Sequence, residues 1–334
     1  MPVTSTQARE SDSGMPVQGN ALVRTILGDI SSTELGVCLS HEHVIIDGGV
    51  PKIINPEIAL QSVEAAVTEL EECKKAGVQS LIDAMPADAG RNIAKLAEVA
   101  RRTGIHIVSC TGLHHKRYYG ERHWGELLAA EELAELFVQD ITEGIDYFDL
   151  CGPVVRRSPH RAGCIKVAGS KNGLTHRDRR IFLAASIAAA RTGAPIMTHC
   201  EAGTGGLEHI DTFRDLGVPL HRVILSHTDK MPDPVYHAEM LSAGVNLVYD
   251  QGLRTPDQTL SLLQRMVESG YYSQILLGTD AARRSLWTAL GGTPGIAEIR
   301  RSFKIALEMN VGSEIAHALW VTNPARVFSL EGIR

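Results

Sequence analysis

The sequence predicts an α/β protein built as one (β/α)8 TIM barrel with a short N-terminal β-hairpin. Three observations point there. Eight short apolar runs are bounded by turn residues, stretches of helical periodicity follow them, and no linker-like composition divides the chain of 334 residues. A doubly wound sheet usually has fewer strands, so the closed barrel is the better reading. An apolar content of 44% suffices for one large core.

Residues 1–20 are rich in small polar side chains without periodicity and read as a flexible N-terminal extension, which leaves 21–334 as a single barrel domain. Ala21–Leu35 alternates Val, Thr and Leu around a Gly28-Asp29 turn signal, predicting a hairpin across the barrel's N-terminal end. The eight strands are expected at Cys38–Val44, Ser80–Met85, His106–Gly112, Cys164–Ala168, Pro195–Cys200, Val223–His227, Asn246–Tyr249 and Ile275–Gly278. Helix-forming composition fills Pro56–Lys75, Arg91–Arg102, Ala130–Ile141, Arg177–Arg191, Asp233–Ser242 and Gln258–Glu268. Gly77, Gly104, Gly193, Gly244 and Gly270 stand where a C′ glycine ends a helix.

Composition narrows the function. A formal charge of −6 without any Lys/Arg-rich block argues against a nucleic-acid partner. No apolar stretch approaches the roughly 18 residues of a membrane span, and the start lacks the order of a secretory signal. The six cysteines include no C-x-x-C pair and read as reduced thiols, so a cytoplasmic protein acting on small molecules is expected.

The chemistry begins at His41-Glu42-His43. Residues i and i+2 of a strand share a face, so both imidazoles can reach one metal ion. Alone, that spacing is weak in a chain with 14 histidines. Downstream, however, Lys166, His199, His227 and Asp280 each close or nearly close a different apolar run. In a barrel all strand C-termini open onto one face, where these residues would meet. Each has a bland alternative, a hydrogen-bonded histidine, a snorkelling lysine or a helix-capping aspartate, but one metal site accounts for all of them together.

These residues resemble the phosphotriesterase-like family of the amidohydrolase superfamily. The motifs are Val23-Arg24-Thr25-Ile26-Leu27-Gly28, His41-Glu42-His43, Asp83-Ala84-Met85-Pro86 with Gly90-Arg91-Asn92, Thr198-His199-Cys200-Glu201, Leu277-Gly278-Thr279-Asp280 and the closing Asn323-Pro324-Ala325. The resemblance covers Ala21 to Phe328. It implies two divalent ions, with zinc the first expectation and manganese or cobalt chemically comparable. His41, His43 and Asp280 would hold the buried ion, and His199 and His227 the outer one. An N6-carboxylated Lys166 and a hydroxide would bridge the pair, with Asp280 as proton acceptor and relay. Carboxylation answers the objection that an ammonium has no lone pair for a metal. The resemblance also suggests a homodimer.

The loops after the strands carry Lys116 and Arg117, Lys230, Arg254, and Arg283-Arg284, a cationic mouth on an acidic protein, which suits an anionic substrate. Together with a short, basic loop after the eighth strand, this resembles the subgroup that hydrolyses phosphorylated sugar lactones. Lys230 and Arg284 are expected to hold the phosphate, Tyr119 and Trp287 to shape the pocket, and Arg254 to stand near the substrate. The alternatives are a lactonase for another class, such as acyl-homoserine lactones, with side activity on phosphotriesters, and a non-catalytic metal-binding sensor or scaffold.

Overall fold

A computed structural model describes residues 21–332; the extension expected over residues 1–20 lies outside them. Strands β1 (Leu22–Thr25) and β2 (Gly28–Ser31) form the expected hairpin, but its turn is Ile26-Leu27, since Thr25 pairs with Gly28. The Thr25 hydroxyl decides this. It donates to the Gly28 carbonyl at 2.6 Å and accepts the Leu27 N–H, closing the turn one residue before the glycine. A third strand unforeseen in the sequence, Ser329–Leu330, pairs antiparallel with β1.

Eight parallel strands follow in chain order: β3 (Cys38–Glu42), β4 (Ser80–Asp83), β5 (His106–Gly112), β6 (Cys164–Gly169), β7 (Ile196–Cys200), β8 (Val223–Ser226), β9 (Asn246–Tyr249) and β10 (Ile275–Leu277). The expected barrel is the fold observed. Each predicted helix is present, and all five proposed terminating glycines have positive φ. The helix Gly206–Asp215 escaped the sequence reading because Gly203, Gly205 and Gly206 mask its start. The segment after β10 is longer than the short loop expected: two 3-10 turns, Arg284–Leu286 and Thr288–Leu290, precede the next long helical stretch, which opens at Ile299.

Closure of the barrel lies just beyond β10, where the Thr279 and Asp280 amides donate to the His41 carbonyl at 3.3 and 3.0 Å. Gly278 permits this approach, because a Cβ there would lie 2.7 Å from the His41 nitrogen. Glu42, buried in the middle of the histidine motif, accepts from both the amide and the hydroxyl of Thr279.

Inward side chains of the strands, among them Ile82, Val108, Cys164, Met197, Ile224, Val248 and Leu276, form one apolar cluster with Val23, Leu35, Val327 and Phe328. The hairpin and the C-terminal segment therefore stopper the N-terminal end of the barrel. Chemistry is left to the opposite end.

Candidate active site

At the C-terminal end of the strands lies a cavity of about 450 Å³ lined by His41, His43, Lys166, His199, His227 and Asp280 together. His41 sits within β3, whereas His43 lies just past its end; their ring centroids are 5.5 Å apart. Lys166 is inside β6, opposite Gly112 of β5, and any Cβ at that glycine would strike the Lys166 carbonyl at 2.1 Å. His227 and Asp280 follow β8 and β10 with φ of 67° and 46°, a left-handed backbone that is rare outside glycine. Such strain costs about 1–3 kcal/mol per residue and collects where function fixes a side chain.

The side chains converge closely. The Nε2 of His41 is 3.3 Å from Lys166 Nζ, His43 Nε2 is 3.5 Å from Asp280 Oδ1, and the rings of His199 and His227 are 4.3 Å apart. Burial, reinforced by the Lys166 ammonium, pushes His41 down to about 3; burial likewise pushes His43 to about 4 against the pull of Asp280. Burial also lowers Lys166, whose Nζ has the Ser226 hydroxyl at 3.0 Å. Neutral imidazoles and a lysine biased toward its neutral amine are the forms that coordination and carboxylation require.

Three residues to which the sequence reading gave no role complete the polar framework. Asp250, fully buried just after β9, places Oδ2 2.9 Å from His41 Nδ1 and 3.0 Å from the His227 amide. The same oxygen is 2.8 Å from His227 Nδ1 but out of line for a hydrogen bond. Burial alone would raise Asp250, yet His227 and His41 hold it well below the carboxylate range. Glu201, two residues past His199, accepts from it at 3.0 Å and from Arg117 at 2.9 Å. Tyr118 lines the cavity. A polar residue ending an apolar run was the available signal for Asp250, but the same signal describes any turn.

The donor set fits divalent cations. His41, His43 and Asp280 each offer an atom within 4.8 Å of the others, as do His41, His227 and Asp250. His43 Nδ1 and His227 Nδ1 are buried without a hydrogen-bond partner. Imidazole nitrogen with carboxylate oxygen is the ligand chemistry of zinc and its neighbours.

Among the expected substrate contacts, Lys230 and Arg254 line the cavity, and Arg284, Tyr119 and Trp287 do not. Arg284 is exposed and turned toward the Ala59 carbonyl at 3.5 Å, while the preceding Arg283 lines the cavity instead. Tyr119 is buried, its hydroxyl accepting from the His114 amide and donating to the Ala87 carbonyl. Trp287 is 1% exposed, and its indole N–H donates to the Ala281 carbonyl.

A model of the phosphotriesterase family matches residues 21–328. The chain belongs to the phosphotriesterase family. It is 28% identical to a phospho-furanose lactonase of Mycoplasmopsis synoviae over 93% of each chain, and 31% identical to a phosphotriesterase homology protein of Mycobacterium tuberculosis over 93% of this chain and 98% of that one. Among solved structures, an amidohydrolase from Mycoplasma synoviae superposes with a TM-score of 0.91 at 27% identity, covering 95% of this chain and 94% of that one. A lactonase from Listeria monocytogenes gives 0.85 at 25% identity, covering 93% of this chain and all of that one.

Proposed function

We propose that this phosphotriesterase-family protein is a metal-dependent lactonase that opens a small, phosphorylated furanose lactone. The observation that carries the reading is one cavity holding both the six ligand-type residues and four further cations, Arg117, Lys230, Arg254 and Arg283. Relatives named phospho-furanose lactonases support the same substrate class.

His41, His43 and Asp280 would hold one ion and His199 and His227 the other, and Lys166 would be a further ligand as the carbamate formed when its neutral amine takes up CO2 and releases a proton. Such ions supply a water acidic enough to attack near neutral pH and a Lewis acid for the lactone carbonyl. Asp280 accepts the proton of the attacking water and returns it to the departing ring oxygen. Arg254 donates to the Thr279 and Asp280 carbonyls at 2.9 and 2.6 Å, so it holds the loop that carries Asp280. Arg117 donates to Glu201 at 2.9 Å, which leaves Lys230 and Arg283 for the phosphate. Lys230 Nζ is 3.9 Å from Asp280 Oδ2, and no hydrogen bond or ion pair among the described residues engages the Arg283 guanidinium. Ile46, Ile58 and Met85 supply an apolar wall for the sugar ring.

Zinc is the ion we assign first, from the nitrogen and carboxylate donors. We assign the protein to the cytoplasm as a homodimer. Six free thiols, five of them buried, accord with a reducing compartment, and no helix among the described residues is long and apolar enough to cross a membrane.

A panel of γ-lactones with and without a terminal phosphate tests the reading. The phosphorylated members should have the higher kcat/KM, and Arg283→Met should raise KM for them at least tenfold while leaving neutral lactones little changed. Faster turnover of neutral acyl-homoserine lactones than of phosphorylated sugars would overturn it.

A further inference from the structure

The turn after β7 returns a carboxylate to the strand it leaves. Ala202, with φ of 56°, bends Glu201–Gly203 so that Glu201 Oε2 sits 3.0 Å from His199 Nε2, two residues upstream. His115 Nε2 lies 2.9 Å from that oxygen, and Arg117 donates to both carboxylate oxygens, at 3.4 and 2.9 Å. His115 and Arg117 belong to the segment after β5, so Glu201 joins two barrel loops at one point. It also forms part of the wall of a second cavity, of about 620 Å³, beside the first.

An ionised carboxylate only accepts hydrogen bonds. His199 therefore carries its proton on Nε2, and its lone pair is on Nδ1. At His41 the arrangement is reversed: Asp250 holds Nδ1, and Nε2 faces Lys166. Two carboxylates thus select opposite nitrogens as the free donors of two imidazoles, an outer-sphere device that fixes tautomer and ring orientation.

We propose that Glu201 is the positioning residue of the outer ion: it holds His199 with Nδ1 as the coordinating atom and ties the loop bearing His115 and Arg117 over that ligand. The inference rests on the two-ion reading above and names a residue outside the ligand set. Because Arg117 is bound to Glu201, it is withheld from the substrate anion, consistent with the phosphate being held by Lys230 and Arg283.

The test is metal counting on the full chain, reconstituted with Zn²⁺ or Co²⁺ and bicarbonate, with circular dichroism as the check on folding. Wild type should hold two ions. Glu201→Ala should weaken one of them 10–100-fold, leave the other at wild-type affinity, and change the Co²⁺ d–d spectrum; Glu201→Gln, which keeps the shape and an acceptor, should lie between. If wild type takes two ions and both variants match it in affinity and spectrum, Glu201 is not the positioning residue. Wild type that takes no ion overturns the two-ion reading itself, and this inference with it. Equal weakening of both ions in a folded Glu201→Ala protein also refutes the assignment to the outer one.

Discussion

Asp250 serves two histidines with one oxygen, and that economy makes it a sensitive residue of the site outside the proposed ligands. It fixes His41 through a side-chain hydrogen bond and His227 through its backbone amide. Its second oxygen accepts from Gln251, and its own amide donates to Asp229. Asp250→Asn keeps the shape but presents an N–H or a neutral oxygen where a carboxylate stood, leaving the orientation of His41 undefined. Metal affinity should fall about 10–100-fold with the fold intact, the usual loss for an outer-sphere partner. Unchanged affinity in a chelator titration would reduce Asp250 to a packing role. His41 announced itself through its spacing to His43; Asp250 did not, because a lone aspartate after an apolar run is also what an ordinary turn looks like.

At the scale of elements, the strands bring the proposed ligands to one rim and the loops decide which neighbours face inward. Arg283 and Arg284 are adjacent and identical in type, yet the 3-10 turn opening at Arg284 sends one to the cavity and the other toward Ala59. Trp287, at the end of that turn, is a buried anchor with its N–H satisfied by Ala281. Trp287→Ala should therefore cost about 3–5 kcal/mol of stability, the range for emptying an aromatic core site, measured by urea unfolding. A fully stable variant with altered lactone preference would return Trp287 to the pocket wall. Tyr118 and Tyr119 exchange roles in the same way: the first lines the cavity and the second is held in the core by its hydroxyl. Nothing in a local pattern separates such pairs, because a turn has no period from which to count faces.

For the molecule as a whole, closure and chemistry share one seam. Glu42 joins β3 to the residue before Asp280, and complete burial pushes its carboxyl up to about 8, opposed by the hydrogen bonds from Thr279. A carboxyl whose folded pKa is raised contributes stability that is fully present below its unfolded value near 4.5 and is lost as pH rises through about 8. In metal-free protein, Glu42→Gln removes that dependence. The melting temperature of the variant should gain on wild type steadily from pH 5 to pH 8, and a constant difference across that range would remove Glu42 from the pH response.

Periodicity and strand-end chemistry were enough, in the sequence alone, to specify the eight-stranded barrel, its hairpin and the meeting of His41, His43, Lys166, His199, His227 and Asp280 at one cavity. Alternation and helical spacing are short-range properties, and a barrel places every strand end on the same face. The choice of Arg283 over Arg284, the roles of Asp250 and Glu201, and the sealing of the far end by Val327 and Phe328 belonged to the tertiary structure. Those outcomes depend on left-handed backbone at single residues and on contacts between segments far apart in the chain, such as His41 with Asp250, 209 residues away, which no local spacing encodes.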